Sequence, residues 1–223
     1  MRRFGVPGSS LRIPPENTVP AFEYALANGC DGFEFDVRYS ADRRSVLCHD
    51  PKLGRRVIAT TDYSGLERRY GFERRRSPMA CLEDVLSGFG DRAYLDIELK
   101  VEGNEETIVS QLKTHPPSRY VVSSFLPEVL LRLHELDDAL SLGYICQDRQ
   151  EARRWAELPI KVFIPHRELV AQELIEEVHD CRMKLFTWTV NEQADLLRLA
   201  SWGVDGLISD DPKLLSRTFL ESA

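Results

Sequence analysis

The sequence predicts an α/β protein, a TIM-type (β/α)8 barrel with an irregular β-hairpin after the second strand. Short β-rich runs alternate with amphipathic helical patterns along the 223 residues, and this alternation is typical of a parallel sheet covered by helices. The number of strand–helix units favours a closed barrel. An open doubly wound sheet is the main alternative, but no glycine-rich phosphate loop follows the first strand.

Length and composition indicate one globular domain that spans residues 1–223. No repeat, low-complexity tract or linker divides the chain, and hydrophobic residues make up 43% of it, enough for a core. The net charge of -7 argues against nucleic-acid binding. No apolar run approaches the ~18 residues that span a bilayer, and the N-terminus lacks the apolar core of a signal peptide. Five dispersed cysteines indicate a reduced, cytoplasmic protein without a zinc site.

Nine strand candidates follow one another along the chain, one more than a barrel needs. They are residues 4–6, 33–37, 45–48, 94–99, 120–122, 142–145, 162–164, 185–190 and 206–208. A first helix is expected from about Thr18 to Asn28-Gly29, where apolar residues recur at helical spacing. Further amphipathic helices are expected over residues 129–136, 169–178 and 194–202.

Residues 45–48 account for the ninth candidate. No helix separates them from the strand at 33–37, so we interpret them as the return arm of an antiparallel hairpin with its turn near Asp42. This pairing predicts that His49 lies opposite Glu34, beside whatever Glu34 binds.

Three acidic residues at strand ends indicate a metal site. Glu34 and Asp36 are two residues apart on one strand, so their side chains point to the same side, and Glu98 lies at the end of another strand. Carboxylates gathered in a partly desolvated place repel one another and need a cation. Ligation by oxygen atoms alone suits one hard divalent ion, Mg²⁺ or Ca²⁺, more than zinc. The alternative is that each acid is a solvated rim residue.

His49 and Lys100 are candidates for the catalytic chemistry. His49 ends the apolar return arm, and a histidine beside a metal and a phosphate can donate a proton to a leaving alkoxide near neutral pH. Lys100 is two residues beyond Glu98 on the same side, where its ammonium could hold a phosphoryl oxygen. A rim lysine paired with an acid is the equally plain alternative.

A set of short motifs in a fixed order resembles the glycerophosphodiester phosphodiesterase family over essentially the whole chain. Each motif is weak alone, but the order is specific. The matching segments are Pro15-Glu16-Asn17-Thr18, Asp31-Gly32-Phe33-Glu34-Phe35-Asp36-Val37, His49-Asp50, Ile97-Glu98-Leu99-Lys100, Ser123-Ser124-Phe125, Trp188-Thr189-Val190-Asn191 and the run from Gly203 to Asp210.

The resemblance implies a barrel enzyme that cleaves small-molecule phosphodiesters of glycerol, an activity of lipid metabolism. Carried over residue by residue, it implies a divalent metal on Glu34, Asp36 and Glu98. It also implies His49 as an acid/base group and Lys100 on the phosphate. Substrate contacts are implied for Glu16 and Asn17, with Trp188 as an apolar wall.

One segment departs from the family pattern. The family's first strand ends in H-R-G, which supplies a second histidine and a phosphate-binding arginine, whereas this chain has Val6-Pro7-Gly8. Cleavage needs one proton removed from a nucleophile and another delivered to the leaving group, so we expect a modified acid/base arrangement. Possible replacements are His166 at a strand end, metal-bound water and an arginine-rich segment. That segment contains Arg55, Arg56, Arg68, Arg69, Arg74, Arg75 and Arg76. The plain alternatives are that His166 is a rim histidine without a role and that the arginines form a solvated charged loop.

These observations favour metal-dependent hydrolysis of glycerophosphodiesters to an alcohol and glycerol phosphate. The alternative is a catalytically weak or inactive relative that binds phosphodiesters or glycerol phosphate. A different enzyme on the same barrel is a third possibility, because a fold does not fix its chemistry.

Overall fold

The strands of the chain pair in a closed ring. The computed structural model describes residues 1–5, 14–73 and 78–220. Eight parallel strands follow chain order around the ring, and the last pairs with the first, so the predicted barrel is confirmed. In chain order the described strands are β1 (Arg2–Gly5), β2 (Gly32–Tyr39), β3 (Ser45–Leu47), β4 (Lys52–Leu53), β5 (Arg56–Val57), β6 (Tyr94–Leu99), β7 (Tyr120–Ser124), β8 (Leu142–Cys146), β9 (Val162–Pro165), β10 (Lys184–Thr187) and β11 (Gly206–Ser209). The strands β3, β4 and β5 lie outside the ring.

Helices follow most barrel strands and cover the outside of the ring. The described α-helices are α1 (Val19–Ala27), α2 (Tyr63–Glu73), α3 (Leu82–Phe89), α4 (Glu105–Thr114), α5 (Pro127–Leu136), α6 (Arg149–Ala152), α7 (Gln172–Asp180), α8 (Gln193–Trp202) and α9 (Pro212–Leu220). Thr18 caps α1 by accepting from the backbone N–H of Ala21. None of these helices is long and apolar enough to cross a membrane.

The hairpin predicted after the second strand is confirmed, but its predicted register is wrong by one residue. β3 runs antiparallel to β2, with Val37 opposite Leu47, and the backbone pairing continues from Asp36 to Cys48. Continued to position 49, this register puts His49 opposite Phe35 and not opposite Glu34. A turn centred on Asp42 fixes this offset, because the five turn residues 40–44 are closed by backbone hydrogen bonds within the turn.

The barrel strands have one apolar core on the outside of the ring and another on the inside, and the acidic residues point to the inside. On β2, Phe33, Phe35 and Val37 belong to the large outer core between strands and helices, so Glu34 and Asp36 point to the inside of the ring. The inside is filled below them by a second, smaller apolar cluster. It consists of Phe4, Tyr94, Val121, Ile145, Val162, Ile164, Phe186 and Ile208.

The chain between β3 and α3 forms an insertion with its own small core. Its buried members are Val46, Cys48, Leu53, Ile58, Leu66, Tyr70, Met79 and Cys81. The insertion carries the arginine-rich segment, in which Arg55, Arg56 and Arg68 are exposed. Arg74, Arg75 and Arg76 lie outside the described residues.

Two predicted elements are shorter than expected at one end. One strand ends early, and one helix begins late. The strand predicted at 185–190 stops at Thr187. Beyond it, Trp188 makes only an isolated parallel bridge to His166, and the Thr189 carbonyl oxygen accepts from the Arg167 side chain at 2.8 Å. The helix predicted at 169–178 begins only at Gln172, after the extended residue Ala171.

Gly32 marks a close approach between β2 and β6, and it gives a stability prediction. A Cβ atom at Gly32 would lie 1.9 Å from the backbone oxygen of Tyr94, so Gly32→Ala forces the two strands apart. We expect this substitution to lower the free energy of unfolding by ~3 kcal/mol or more.

The matched control is Gly88→Ala in the exposed part of α3, where an added Cβ meets nothing within 4 Å. Alanine has the higher helix propensity, so this variant should be stabilised by up to ~1 kcal/mol. Chemical denaturation of both variants measures the difference. Equal stabilities would contradict the close approach.

Candidate active site

A cavity of roughly 370 Å³ opens at the carboxyl ends of the barrel strands, the face on which barrels of this type carry their active sites. Acidic residues from β2 and β6 form one side. Phe125, Ile145, Ile164 and Ile208 form an apolar part of the lining. The cavity therefore combines a strongly polar wall with an apolar one.

The acidic wall is built by the pairing of β2 with β6. In this ladder Glu34 lies beside Asp96, and Asp36 lies beside Glu98, so four carboxyl groups face the cavity in two adjacent rows. One oxygen each from Glu34, Asp36 and Glu98 lies within 4.8 Å of the others. The structure thus brings together the three acids that the sequence predicts as metal ligands.

Asn17 forms two hydrogen bonds with Asp36, one with its side chain and one with its backbone. The Asn17 amide nitrogen donates to Asp36 Oδ2 at 2.7 Å, while the Asn17 carbonyl oxygen accepts from the Asp36 backbone N–H at 2.9 Å. Asn17 has a φ of 57°, a left-handed conformation that asparagine tolerates better than most residues. Asn17 therefore positions an acid of the cluster, and its predicted contact with substrate stays a prediction.

Lys100 supplies the positive charge of the cluster. Its Nζ lies 2.9 Å from Asp36 Oδ1 and 2.5 Å from Glu98 Oε1. Burial lowers the pKa of Lys100, but Glu98 and Asp36 outweigh that effect and raise it above its usual range. Lys100 is therefore a fixed cation at this site.

One lysine does not neutralise the four carboxyl groups of this cluster, of which three belong to buried residues and that of Glu34 to a half-buried one. Burial, followed by the charges of Asp36, Glu98 and Asp96, raises the pKa of Glu34 well above its usual range. Burial also raises the pKa of Glu98 to about 7, although Lys100 opposes the shift. The cluster is therefore short of positive charge.

The residues fit a divalent cation. Glu34 Oε1 is buried without a hydrogen-bond partner. Glu98 Oε1 is buried against the ammonium of Lys100. Buried carboxylate oxygens without donors are ligands that Mg²⁺ and Ca²⁺ prefer.

Asp96 is a fourth acid that the sequence reasoning missed. It is fully buried below the cluster, where its Oδ1 accepts from Ser123 Oγ and its Oδ2 has no hydrogen-bond partner. Burial raises its pKa to about 7, against the Ser123 hydrogen bond and with help from Glu98 and Asp36. The signal was present, because Asp96 precedes Glu98 by two residues, as Glu34 precedes Asp36.

His49 lies at the edge of the cavity on the segment after β3. Its Nδ1 is 3.0 Å from Asp50 Oδ1, and its side chain is 58% exposed. Arg38 Nε donates to the His49 carbonyl oxygen at 2.9 Å, which holds the backbone in place. With Nδ1 beside Asp50, Nε2 is the ring nitrogen available for proton transfer.

Trp188 lines the cavity opposite the acidic wall, and its ring is fixed. The indole N–H donates to the Ile164 carbonyl oxygen at 3.1 Å, and Phe125 packs edge-on at 5.4 Å between ring centroids. His166 packs against Trp188 at 5.3 Å but is not among the residues that line the cavity. Glu16 lines the cavity near the start of α1.

Comparison with known proteins identifies the family. The model of the glycerophosphoryl diester phosphodiesterase family matches residues 7–214. This chain belongs to that family. A glycerophosphodiester phosphodiesterase of Bacillus altitudinis is 30% identical over 89% of this chain and 90% of the relative. As a family member, the chain is a phosphoric diester hydrolase.

Solved structures share the fold of this family member over nearly its whole length. A phosphodiesterase from Oleispira antarctica, in complex with the product sn-glycerol-3-phosphate, is 25% identical, with a TM-score of 0.83 over 98% of this chain and 96% of that one. A glycerophosphodiester phosphodiesterase from Thermotoga maritima is 22% identical, with a TM-score of 0.83 over 97% of each chain. The latter likeness supports the fold alone.

Two sequence predictions for this family member concern residues of which some lie outside the described part of the chain. Val6-Pro7-Gly8, which stands where the family pattern has H-R-G, lies outside the described residues. Among the residues that the structure describes, none of the arginines lines the cavity. The described part of the arginine-rich segment therefore does not enter the acidic wall.

Asp96 gives a prediction on pH-dependent stability. Its pKa is raised on folding, so its contribution to stability is complete below the unfolded pKa near 4 and is lost as the pH rises through the folded value of about 7. We expect the Asp96→Asn variant to gain stability relative to wild type over this range, by at most about 4 kcal/mol. Chemical denaturation in the presence of a chelator, from pH 4 to pH 8, measures the gain.

The control for this measurement is Asp91→Asn, which removes an exposed carboxylate. Its stability difference from wild type should not grow between pH 4 and pH 7. A flat difference for Asp96→Asn as well would show that Asp96 ionises as freely as an exposed acid.

Proposed function

We propose that this protein hydrolyses glycerophosphodiesters to an alcohol and glycerol phosphate with the help of one divalent cation, Mg²⁺ or Ca²⁺. The observation that carries the proposal is the convergence of Glu34, Asp36 and Glu98 on one point beside Lys100. Family membership supports the reaction class. The product in the Oleispira antarctica complex, sn-glycerol-3-phosphate, supports the substrate class.

Glu34, Asp36 and Glu98 would hold the cation through carboxylate oxygens. When bound, such an ion neutralises charge on a phosphoryl oxygen and helps to place the attacking hydroxyl. Asn17 keeps Asp36 in one orientation, so the ligand set is organised before the ion enters.

Lys100 and His49 would act on the phosphodiester itself. The Lys100 ammonium lies beside Asp36 and Glu98 and can bind a phosphoryl oxygen next to the cation site. His49 lines the same cavity, and its Nε2 would donate a proton to the leaving alkoxide. The Asp50 carboxylate, 3.0 Å from Nδ1, would hold the ring in one orientation.

The walls of the cavity would bind the alcohol parts of the substrate. Trp188 presents a fixed apolar ring, and Glu16 lines the same cavity near the start of α1. The proton acceptor for the nucleophile is the part of the mechanism in which this chain departs from the family pattern. Its Val6-Pro7-Gly8 segment lacks the family histidine and arginine.

The metal site can be tested by calorimetric titration with Mg²⁺ and Ca²⁺. Glu34→Ala removes one ligand and one negative charge, so we expect the affinity for the cation to fall at least ~100-fold, more than the loss of an outer-shell partner causes. Glu176→Ala, which removes an exposed acid of α7, is the matched control and should bind as wild type does. Unchanged binding in the Glu34→Ala variant would remove Glu34 from the ligand set.

The acid/base arrangement can be tested by rebuilding the family segment. With metal present, Val6→His combined with Pro7→Arg should raise turnover of a glycerophosphodiester by ~10² or more, since one acid/base partner is worth ~10²–10⁴ in rate. His49→Ala in the same background should reverse at least that gain.

Two results of the rebuilding experiment would contradict the proposal. No gain in a folded, metal-binding variant would mean that the cavity serves another ligand, as expected of an inactive relative. A wild-type rate equal to that of the double variant would mean that another group already carries the proton, and substitution of His166 would be the next step.

A further inference from the structure

A second asparagine–aspartate pair on the cavity rim repeats the arrangement at Asp36. The Asn191 carbonyl oxygen accepts from the Asp210 backbone N–H at 2.9 Å, and the Asn191 amide nitrogen donates to Asp210 Oδ2 at 2.9 Å. Ser209 Oγ also donates to the Asn191 carbonyl oxygen at 3.0 Å. A backbone N–H can only donate, so the orientation of the Asn191 amide is fixed.

Within the described residues, this pair leaves Oδ1 of Asp210 without a hydrogen-bond partner. Asn191 engages Oδ2, so Oδ1 is the oxygen that can meet a ligand, and Asp210 is one of the residues that line the cavity. Within the described part of the chain, no lysine, arginine or histidine forms an ion pair with Asp210. At Asp36, by contrast, the second oxygen already meets Lys100.

Asp210 lies on the rim beside the acid cluster and does not belong to it. It directly follows β11, whose last residue Ser209 pairs with Gly5, and Gly5 pairs in turn with Phe33. One strand therefore separates Asp210 from the strand that carries Glu34. The three acids that converge on the proposed cation site do not include Asp210.

A carboxylate in this position selects for a hydrogen-bond donor. An ionised carboxylate repels the phosphodiester anion, and a phosphodiester carries no proton that it could donate to Asp210 at neutral pH. The glycerol part of the proposed substrate does carry donors, its hydroxyl groups. Because Asn191 already holds the carboxylate in one orientation, little side-chain freedom is lost on binding.

We propose that Asp210, held by Asn191, accepts a hydrogen bond from a glycerol hydroxyl and so determines which end of the substrate lies on this side of the cavity. This inference rests on the proposed function. Asp210 is thereby a specificity-determining residue. A site built to bind a hydroxyl discriminates strongly against analogues that lack it, because its polar group is then left unpaired.

Ligand binding tests the inference without relying on turnover. We would titrate the metal-loaded protein with sn-glycerol-3-phosphate, ethyl phosphate and 2-aminoethyl phosphate. Wild type should bind sn-glycerol-3-phosphate about tenfold or more tightly than ethyl phosphate, and Asp210→Ala should remove that preference by weakening the glycerol ligand alone. Asp210→Asn keeps the side-chain shape and should lose most of the preference too.

Two further variants separate orientation from charge. Asn191→Ala leaves the carboxylate but frees it, so the preference should shrink by a smaller factor than in Asp210→Ala. Glu192→Gln removes the charge of an exposed neighbour that does not line the cavity, and it should keep the wild-type preference. Thermal unfolding of each variant confirms that it is folded.

The outcomes are distinct. Equal weakening of sn-glycerol-3-phosphate and ethyl phosphate in Asp210→Ala, or no preference in wild type, would overturn the inference. A loss confined to 2-aminoethyl phosphate would also overturn it, because Asp210 would then bind an ammonium group of the leaving alcohol. If the preference depends on Asp210 but no glycerophosphodiester is turned over, the proposed hydrolysis fails while the role of Asp210 stands.

Discussion

The pairing of β2 with β6 is the constraint on which the rest of the site depends. The two strands stay in register from Gly32 opposite Tyr94 to Val37 opposite Leu99, and adjacent strands lie only about 4.8 Å apart. Alternation along both strands turns phenylalanine, valine, isoleucine and leucine side chains outward to the helices and the carboxyl groups inward. The same backbone pairing therefore builds the outer core and concentrates negative charge inside the ring.

That concentration of charge determines what the neighbouring residues do. Asn17 donates to one carboxylate, Ser123 to another, and Lys100 contacts two. These partners do not satisfy every buried oxygen, since Glu34 Oε1 and Asp96 Oδ2 remain without donors. Buried carboxylates without partners destabilise the fold on its own, but they favour binding of a cation, because the cation would supply the missing positive charge.

The sequence predicts the architecture and the shared side of Glu34 and Asp36 because both depend on short-range periodicity. Glu98 is added to them because it ends another strand, and the carboxyl ends of barrel strands meet at one face. The bounds of β6 agree to the residue with the predicted strand, and spacing of two residues places Glu34 and Asp36 on one side. Contacts between distant segments are not visible in such patterns. The hydrogen bonds from Asn17 to Asp36 and from Asn191 to Asp210 each join residues 19 apart. A helix lies between the two residues of each pair, and the sequence pattern does not fix its length.

Lys100 supplies the acid cluster with a positive charge before any ion reaches it. The ammonium group lies between Asp36 and Glu98, so the barrel carries an internal counter-ion that offsets part of the repulsion among its acids. A divalent ion on the same two carboxylates would compete with this tethered group. Lys100 Nζ also lies 5.6 Å from the centre of the Phe125 ring, so the positive charge of the lysine would remain at the cavity after such an exchange.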